Sequence, residues 1–306
     1  MHTEIARAIA AVDSVLYGKQ LQVKLALTCL LSQGHLLIED LPGMGKTTLA
    51  HALARVLGLE YQRVQFTSDM LPGDILGVSV FSAANGEFRF HPGPVFSQLL
   101  LADEINRTTP KTQSALLEAM EEQQVTLEGV TRPLPSPFFV IATQNPISQY
   151  GTFPLPESQL DRFLMRISLG YPAPEAERLL LKGGDVRGRI EQLPVCLASE
   201  QLLEVRARAA DVKTSDSLLD YLQRLVGYSR ESGQFAYGIS PRGALALLSC
   251  AKTWALLNGR QYVVPEDLQQ LLGPVFGHRL RAAEDYGEHG GEALIRLLLR
   301  EVDVVG

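Results

Sequence analysis

Leu37-Ile38-Glu39-Asp40-Leu41-Pro42-Gly43-Met44-Gly45-Lys46-Thr47-Thr48-Leu49-Ala50 is the stretch on which the reading of the fold turns. Leu36 to Glu39 is apolar enough for a buried strand, and Thr47 to Leu57 carries Leu49, Leu53 and Leu57 on one helical face. Gly58 follows, where a helix C-terminal cap belongs. Between strand and helix lies a loop of glycines ending in Lys-Thr. Glycines let backbone N–H groups turn inward around phosphate oxygens, and the helix N-terminus adds positive potential. Lys46 is placed to reach the β- and γ-phosphates of a nucleotide, and the Thr47 hydroxyl to ligate Mg²⁺. The full P-loop pattern asks for glycine at position 40, where this chain has Asp40. That departure falls at the loop's entrance, away from the phosphates.

Outward from this motif, the first half alternates short apolar strands with amphipathic helices, the pattern of a parallel α/β sheet. Tyr61 to Phe66, Gln98 to Ala102, Phe138 to Thr143 and Met165 to Leu169 join Leu36 to Glu39 in a five-strand count. A helix opens at Thr109-Pro110, and an amphipathic first helix carries Ile5, Ile9, Val12 and Leu16. Two hairpins interrupt the alternation. Val78 to Phe81 and Phe88 to Phe90 flank an Asn85-Gly86 turn, and Val125 to Leu127 and the segment from Val130 flank Gly129. After Tyr171-Pro172-Ala173-Pro174 no strand pattern follows. Glu175–Leu181, Ser199–Ala210, Ser217–Tyr228, Ser240–Asn258, Glu266–Leu272 and Ala293–Arg300 read as helices. The expectation is an α/β core over residues 1–172 and a smaller all-helical domain over residues 173–306.

Composition narrows the classes. The 306 residues suffice for two packed domains, and no apolar run approaches bilayer length. The N-terminus lacks the basic flank and apolar run of a secretory signal. Cys29, Cys196 and Cys250 are scattered and odd in number, as expected of buried apolar residues in a reducing, cytoplasmic setting. The six histidines show no ligand spacing, so no structural metal site is expected. A net charge of −6 disfavours non-specific nucleic-acid binding, which relies on cations displacing counterions.

Further residues extend the chemistry. Leu99-Leu100-Leu101-Ala102-Asp103-Glu104 is an apolar strand ending in two acids, which puts carboxylates beside the phosphate loop. Asp103 is the candidate Mg²⁺ acid and Glu104 the candidate general base for an attacking water. Asn145 ends another strand, between Gln144 and Pro146. It is either a turn-forming Asn-Pro or a hydrogen-bond donor to the γ-phosphate or the lytic water. Arg162 is either a surface ion pair or a residue reaching a neighbouring subunit's nucleotide. Ser240-Pro241-Arg242 opens a helix, and an arginine at a helix N-terminus gains nothing from the dipole, so an anionic partner such as phosphate suits Arg242.

The chain resembles the MoxR family of AAA+ ATPases. LIEDLPGMGKTTLA, GEFRFHPGPVF, LLLADEINRTTPKTQSALLEAMEE, VTLEGVTRPLP, FFVIATQNPISQYGTFPLPESQLDRFLMRISLGYP and ISPRGALALL are similar to that family's signatures. The likeness runs from about Tyr17 to about Leu280. It implies a P-loop AAA+ core with helices on both faces of the sheet, two hairpin insertions and a helical lid. It implies ATP and Mg²⁺ bound by Pro42, Gly43, Met44, Gly45, Lys46, Thr47 and Thr48, with Tyr17 and Gly18 against the adenine. Asp103 and Glu104 become the Walker B acids, Asn145 sensor 1, Arg162 the arginine finger and Arg242 sensor 2, with Arg166 competing for the finger role. The implied assembly is a homo-oligomer, a hexameric ring. It would use ATP hydrolysis to remodel or mature protein complexes with a von Willebrand factor A-domain client, and in some cases to insert a metal or cofactor. The competing expectations are a nucleic-acid-dependent motor and a nucleotide-dependent scaffold with negligible turnover. The acidic balance and unbasic hairpins oppose the first, and the intact Lys46, Asp103, Glu104 and Arg162 oppose the second.

Overall fold

A computed structural model describes residues 2–83, 86–145, 151–182, 186–283 and 290–305. Asn85 of the first expected turn and Pro146 after Asn145 lie outside the described residues. The strands are β1 (Leu36–Glu39), β2 (Tyr61–Gln65), β3 (Gly77–Ser82), β4 (Glu87–Pro92), β5 (Leu99–Asp103), β6 (Gln124–Leu127), β7 (Val130–Pro133), β8 (Phe139–Gln144), β9 (Met165–Ile167), β10 (Phe235–Tyr237) and β11 (Arg281–Ala282). Five of them form one sheet in the order β2-β5-β8-β1-β9. Every pairing in that sheet is parallel, with Leu36 beside Ile141 and Met165, and Gln65 beside Asp103.

A two-residue side-chain period explains why this sheet is covered on both faces. Leu36, Ile38, Leu99, Leu101, Phe139, Ile141, Met165 and Ile167 enter one apolar cluster, while Leu37, Leu100, Ala102, Val140 and Ala142 enter the other. The first face carries α1 (His2–Asp13), α2 (Gln20–Leu31) and α3 (Lys46–Val56). The second carries α4 (Pro72–Leu76) and α5 (Pro110–Glu122), whose Leu116, Leu117 and Met120 are buried. In the sequence, α2 shows only as the apolar run Leu25 to Leu31. Leu25 to Leu31 are all buried, between the sheet and later helices, so no polar face betrays the helical period.

Hairpins β3–β4 and β6–β7 stand apart as two-stranded ladders. Beyond α6 (Glu157–Leu160), the helices α7 (Pro174–Leu181), α8 (Val186–Glu191), α9 (Ser199–Ala210), α10 (Asp216–Glu231), α11 (Pro241–Leu257), α12 (Pro265–Phe276) and α13 (Gly290–Glu301) follow. Ser240 caps α11 as expected, its Oγ accepting from the Gly243 amide at 3.1 Å. The helical part also holds a short antiparallel ladder, β10 with β11, too brief to leave an alternation in the sequence.

Several contacts fasten the helical part to the α/β core. At one, Cys196 donates its amide to the Val56 carbonyl at the end of α3, at 2.7 Å. At another, Arg279 beyond α12 is almost fully buried and donates to Asp161 Oδ1 at 2.6 Å and to the Phe163 carbonyl at 2.8 Å. All three cysteines are buried and unpaired. Among the described residues no helix is long and apolar enough to cross a membrane, and no His, Cys, Asp and Glu cluster is suited to a metal ion.

Candidate active site

The loop between β1 and α3 takes its shape from two glycines. Gly43 and Gly45 have φ of +84° and +92°, in the left-handed region that side chains resist. A Cβ on Gly45 would also come within 2.7 Å of Leu16 Cδ1. Lys46 follows as the first residue of α3, only 7% exposed. Its ammonium donates to the Asp40 carbonyl at 2.6 Å and to Asn145 Oδ1 at 3.0 Å. Both partners are neutral oxygens. Burial lowers the Lys46 pKa, opposed by the nearby charges of Asp103, Asp40 and Glu104. A buried cation hydrogen-bonded to neutral groups, at a helix N-terminus beside an open glycine turn, fits an incoming polyphosphate.

The two acids at the end of β5 are held by one hydroxyl. Thr143 Oγ1 donates to Asp103 Oδ1 at 2.6 Å and accepts the Glu104 amide at 2.9 Å. Glu104 is non-glycine yet has φ of +57°, a strained conformation that turns its side chain out of the strand direction. Its Oε1 accepts from Asn145 Nδ2 at 3.1 Å, and its Oε2 pairs with Arg107 Nε at 3.0 Å. Asn145 therefore bridges the phosphate-loop lysine and the candidate base with one amide. Asp103 Oδ2 meets Arg63 Nη2 at 2.7 Å and Nε at 3.2 Å.

Lys46, Asp103, Glu104 and Asn145 thus come together from the ends of β1, β5 and β8, beside the loop that carries Pro42, Gly43, Met44, Gly45, Thr47 and Thr48. Tyr17 and Gly18 lie by the start of the helical part. Arg189 Nη1 donates to the Tyr17 hydroxyl, and a Cβ on Gly18 would meet Ala176 Cβ at 3.4 Å.

Arg162 and Arg242 do not join this group. Both pair with one carboxylate, Glu121, at 3.2 and 3.1 Å. Glu121 lies in the last turn of α5, and α5 runs away from the end of β5 toward the opposite sheet edge. The neighbouring Met120 carbonyl meets His35, the residue before β1, which confirms that placement. Arg242, the expected sensor 2, thus pairs with Glu121 here, apart from Asn145. The sequence had suggested an anion for Arg242 from its helix N-terminus, and the structure supplies Glu121 as that partner. Arg166 is committed internally, to Glu39 at 2.9 Å and to the Gly277 carbonyl at 3.2 Å.

Sequence reasoning missed Arg63, Arg107 and Thr143. Arg63 sits on the edge strand β2, whose residues are half-buried or exposed, so nothing local marks its pairing with Asp103.

A glycine loop, buried lysine and paired acids at one edge of a five-stranded parallel sheet, with an added helical part, define a P-loop ATPase built on the AAA+ plan. The model of the ATPase family associated with various cellular activities (AAA) matches residues 35–165, and that of the AAA lid domain matches residues 227–296. The Bacillus subtilis protein YeaC, itself uncharacterized, is 42% identical over 99% of this chain and 96% of its own length. Chaperone MoxR1 of Mycobacterium tuberculosis is 42% identical over 92% of this chain and 76% of its own. A crystal structure of a candidate ATPase from Cytophaga hutchinsonii superposes with a TM-score of 0.89 at 36% identity, covering 99% of this chain and 95% of that one. The chain belongs to the MoxR family of AAA+ ATPases.

Proposed function

We propose that the chain hydrolyses ATP in a ring of identical subunits, a hexamer, and uses the cycle to remodel, mature or activate protein complexes in the cytoplasm. The observation that carries this reading is the chain of contacts Lys46–Asn145–Glu104, set beside Asp103. Lys46 exchanges its neutral oxygens for phosphate oxygens of the nucleotide. Asn145 is then free to turn its amide to the γ-phosphate or the lytic water. Glu104, released from Asn145, orients that water and takes its proton. Thr47 and Asp103 would hold Mg²⁺, which supplies charge neutralisation at the phosphate oxygens. Tyr17, Gly18 and the loop residues Pro42 to Thr48 would line the rest of the nucleotide.

Arg162 and Arg242, paired at the far sheet edge, would serve the nucleotide of the adjoining subunit. That role suits two guanidinium groups sharing one carboxylate, since a net positive charge is left for a phosphate. Arg166, bound to Glu39 and Gly277, is the weaker candidate. Loss of the γ-phosphate would remove contacts that one arrangement of core (residues 1–172) and lid (residues 173–306) makes better than another, and so shift the pair. The β3–β4 hairpin exposes Val78, Val80, Phe81 and Phe88, which supports a protein client over a nucleic acid. A von Willebrand factor A-domain protein is the proposed client, with metal or cofactor insertion as one outcome.

Phosphate release by wild type and by Glu104→Gln, together with mass by light scattering, tests the reading. Release by the wild type alone, with an ATP-bound oligomeric variant, is the expected result. Two equally silent monomers in ATP would remove the hydrolysis claim.

A further inference from the structure

Asp40 stands where the phosphate-loop pattern has glycine, and a carboxylate at the mouth of a polyphosphate site is electrostatically unwelcome. Its side chain points elsewhere. Oδ2 accepts the Leu169 amide at 2.8 Å, the Gly170 amide at 2.6 Å and the Ser168 hydroxyl at 3.0 Å, while Oδ1 accepts the Leu41 amide at 2.9 Å. Four donors thus converge on the carboxylate, three of them on Oδ2. Residues 168–171 leave β9 and lead into the helical part, so Asp40 grips the connection between the two.

A second charge, this one buried, grips the same segment from its carbonyl side. Lys19, 8% exposed, donates to the carbonyls of Leu169 at 2.6 Å, Gly170 at 3.1 Å and Tyr171 at 2.8 Å. All three protons of its ammonium are used. A stretch outside regular secondary structure has its backbone polar groups satisfied by one anion and one cation, each from a different part of the core. Gly170, with φ of +64°, permits the bend that turns both sets of groups toward their partners. The clamp also touches the phosphate loop directly, because Lys46 donates to the main-chain carbonyl of Asp40 itself.

We propose that Asp40 and Lys19 are positioning residues that clamp the core–lid connection to the phosphate loop, so that the lid follows the state of the loop. When Lys46 leaves the Asp40 carbonyl for a phosphate, the residue that holds Leu169 and Gly170 is the one relieved of a contact. The glycine of the common pattern offers no such handle. The inference rests on the phosphate-loop reading above, and its test separates the two.

Hydrogen–deuterium exchange of the peptide spanning residues 165–173 is measured in wild type, Asp40→Ala and Lys19→Met, with and without a non-hydrolysable ATP analogue whose binding is followed by fluorescence. Removing a charge-assisted acceptor should speed exchange of the Leu169 and Gly170 amides about tenfold or more in Asp40→Ala. Lys19→Met should loosen the same peptide, while peptides from α5 stay unchanged as a check on folding. In wild type the analogue alters exchange of this peptide. In both variants that response is lost, although analogue affinity stays within a few-fold. Wild-type exchange in Asp40→Ala, with or without analogue, overturns the clamp. A retained response to analogue in both variants overturns the coupling. Failure of the wild type to bind the analogue at all refutes the phosphate-loop reading instead, and the nucleotide-free comparison still decides the clamp.

Discussion

Acidification should destabilise this protein through a histidine that takes no part in the chemistry. His35 precedes β1 and is 6% exposed. Its Nδ1 accepts the Val140 amide at 3.0 Å, which leaves Nε2 as the protonated nitrogen, donating to the Met120 carbonyl at 3.2 Å. A neutral ring satisfies both partners, whereas a second proton would point a donor at an amide. Burial accordingly lowers its pKa from 6.5 to about 4. Between those values the unfolded chain binds more protons than the native one, so stability is full above 6.5 and falls as pH drops toward 4. From about pH 7.5 to about pH 5 the loss from this residue is about 2 kcal/mol. Urea unfolding followed by circular dichroism at both pH values measures it. His35→Asn keeps an acceptor near Val140 but cannot titrate. It should start less stable by about 1–3 kcal/mol and lose about 2 kcal/mol less on acidification. His278, also buried with its pKa well lowered, is present in both proteins and cancels in the comparison. If wild type and His35→Asn lose equal stability between the two pH values, the argument from His35 is wrong.

Other expectations follow from single contacts. Arg63 pairs with Asp103, the proposed Mg²⁺ acid, so Arg63→Gln should lower the Mg²⁺ concentration needed for nucleotide binding. The arginine is half exposed, which limits the shift to roughly fivefold or less, and an unchanged Mg²⁺ midpoint would discount the competition. Arg279→Met should lower stability by about 2–3 kcal/mol, because it removes a nearly buried cation from the acceptors at Asp161 and Phe163; thermal unfolding within a degree of wild type would contradict it. Burial pushes the Cys250 thiol up to about 12, so its alkylation near neutral pH should be very slow until denaturant is added. Rapid labelling of the native protein at Cys250 would show that the helical part opens readily.

The legible parts of this molecule are those where local chemistry and tertiary setting agree. The strands β1, β5 and β8 announce themselves as apolar runs because both of their faces are covered, and the glycine loop does so because its φ values admit little else. Other features were hidden for physical reasons. Helix α2 is buried nearly all round and shows no period. The β10–β11 ladder is too short to alternate. The roles of Arg63, Thr143 and Asp40 depend on partners 40, 40 and up to 130 residues away, which no local pattern encodes. Asp40 was visible only as an exception to a motif. Its meaning appears once β9 lies beside β1 and brings Leu169 and Gly170 within reach.

Arg162 and Arg242 carry the argument for assembly furthest. Each was plausible alone as a phosphate ligand, and neither lies at the edge that holds Lys46. Strands of the sheet's length, at about 3.3 Å per residue, separate its two edges by roughly 10–20 Å. A single subunit therefore carries its nucleotide cradle at one edge and spare positive charge at the other. In the proposed assembly the contact that would join such complementary edges is head-to-tail, and it gives a ring only where its rotation closes. Glu121 keeps the two guanidinium groups together in the meantime, at a cost that an exposed carboxylate bears easily. A phosphate carries more charge than Glu121 and accepts more hydrogen bonds, so in the proposed assembly it would compete with Glu121 for both arginines.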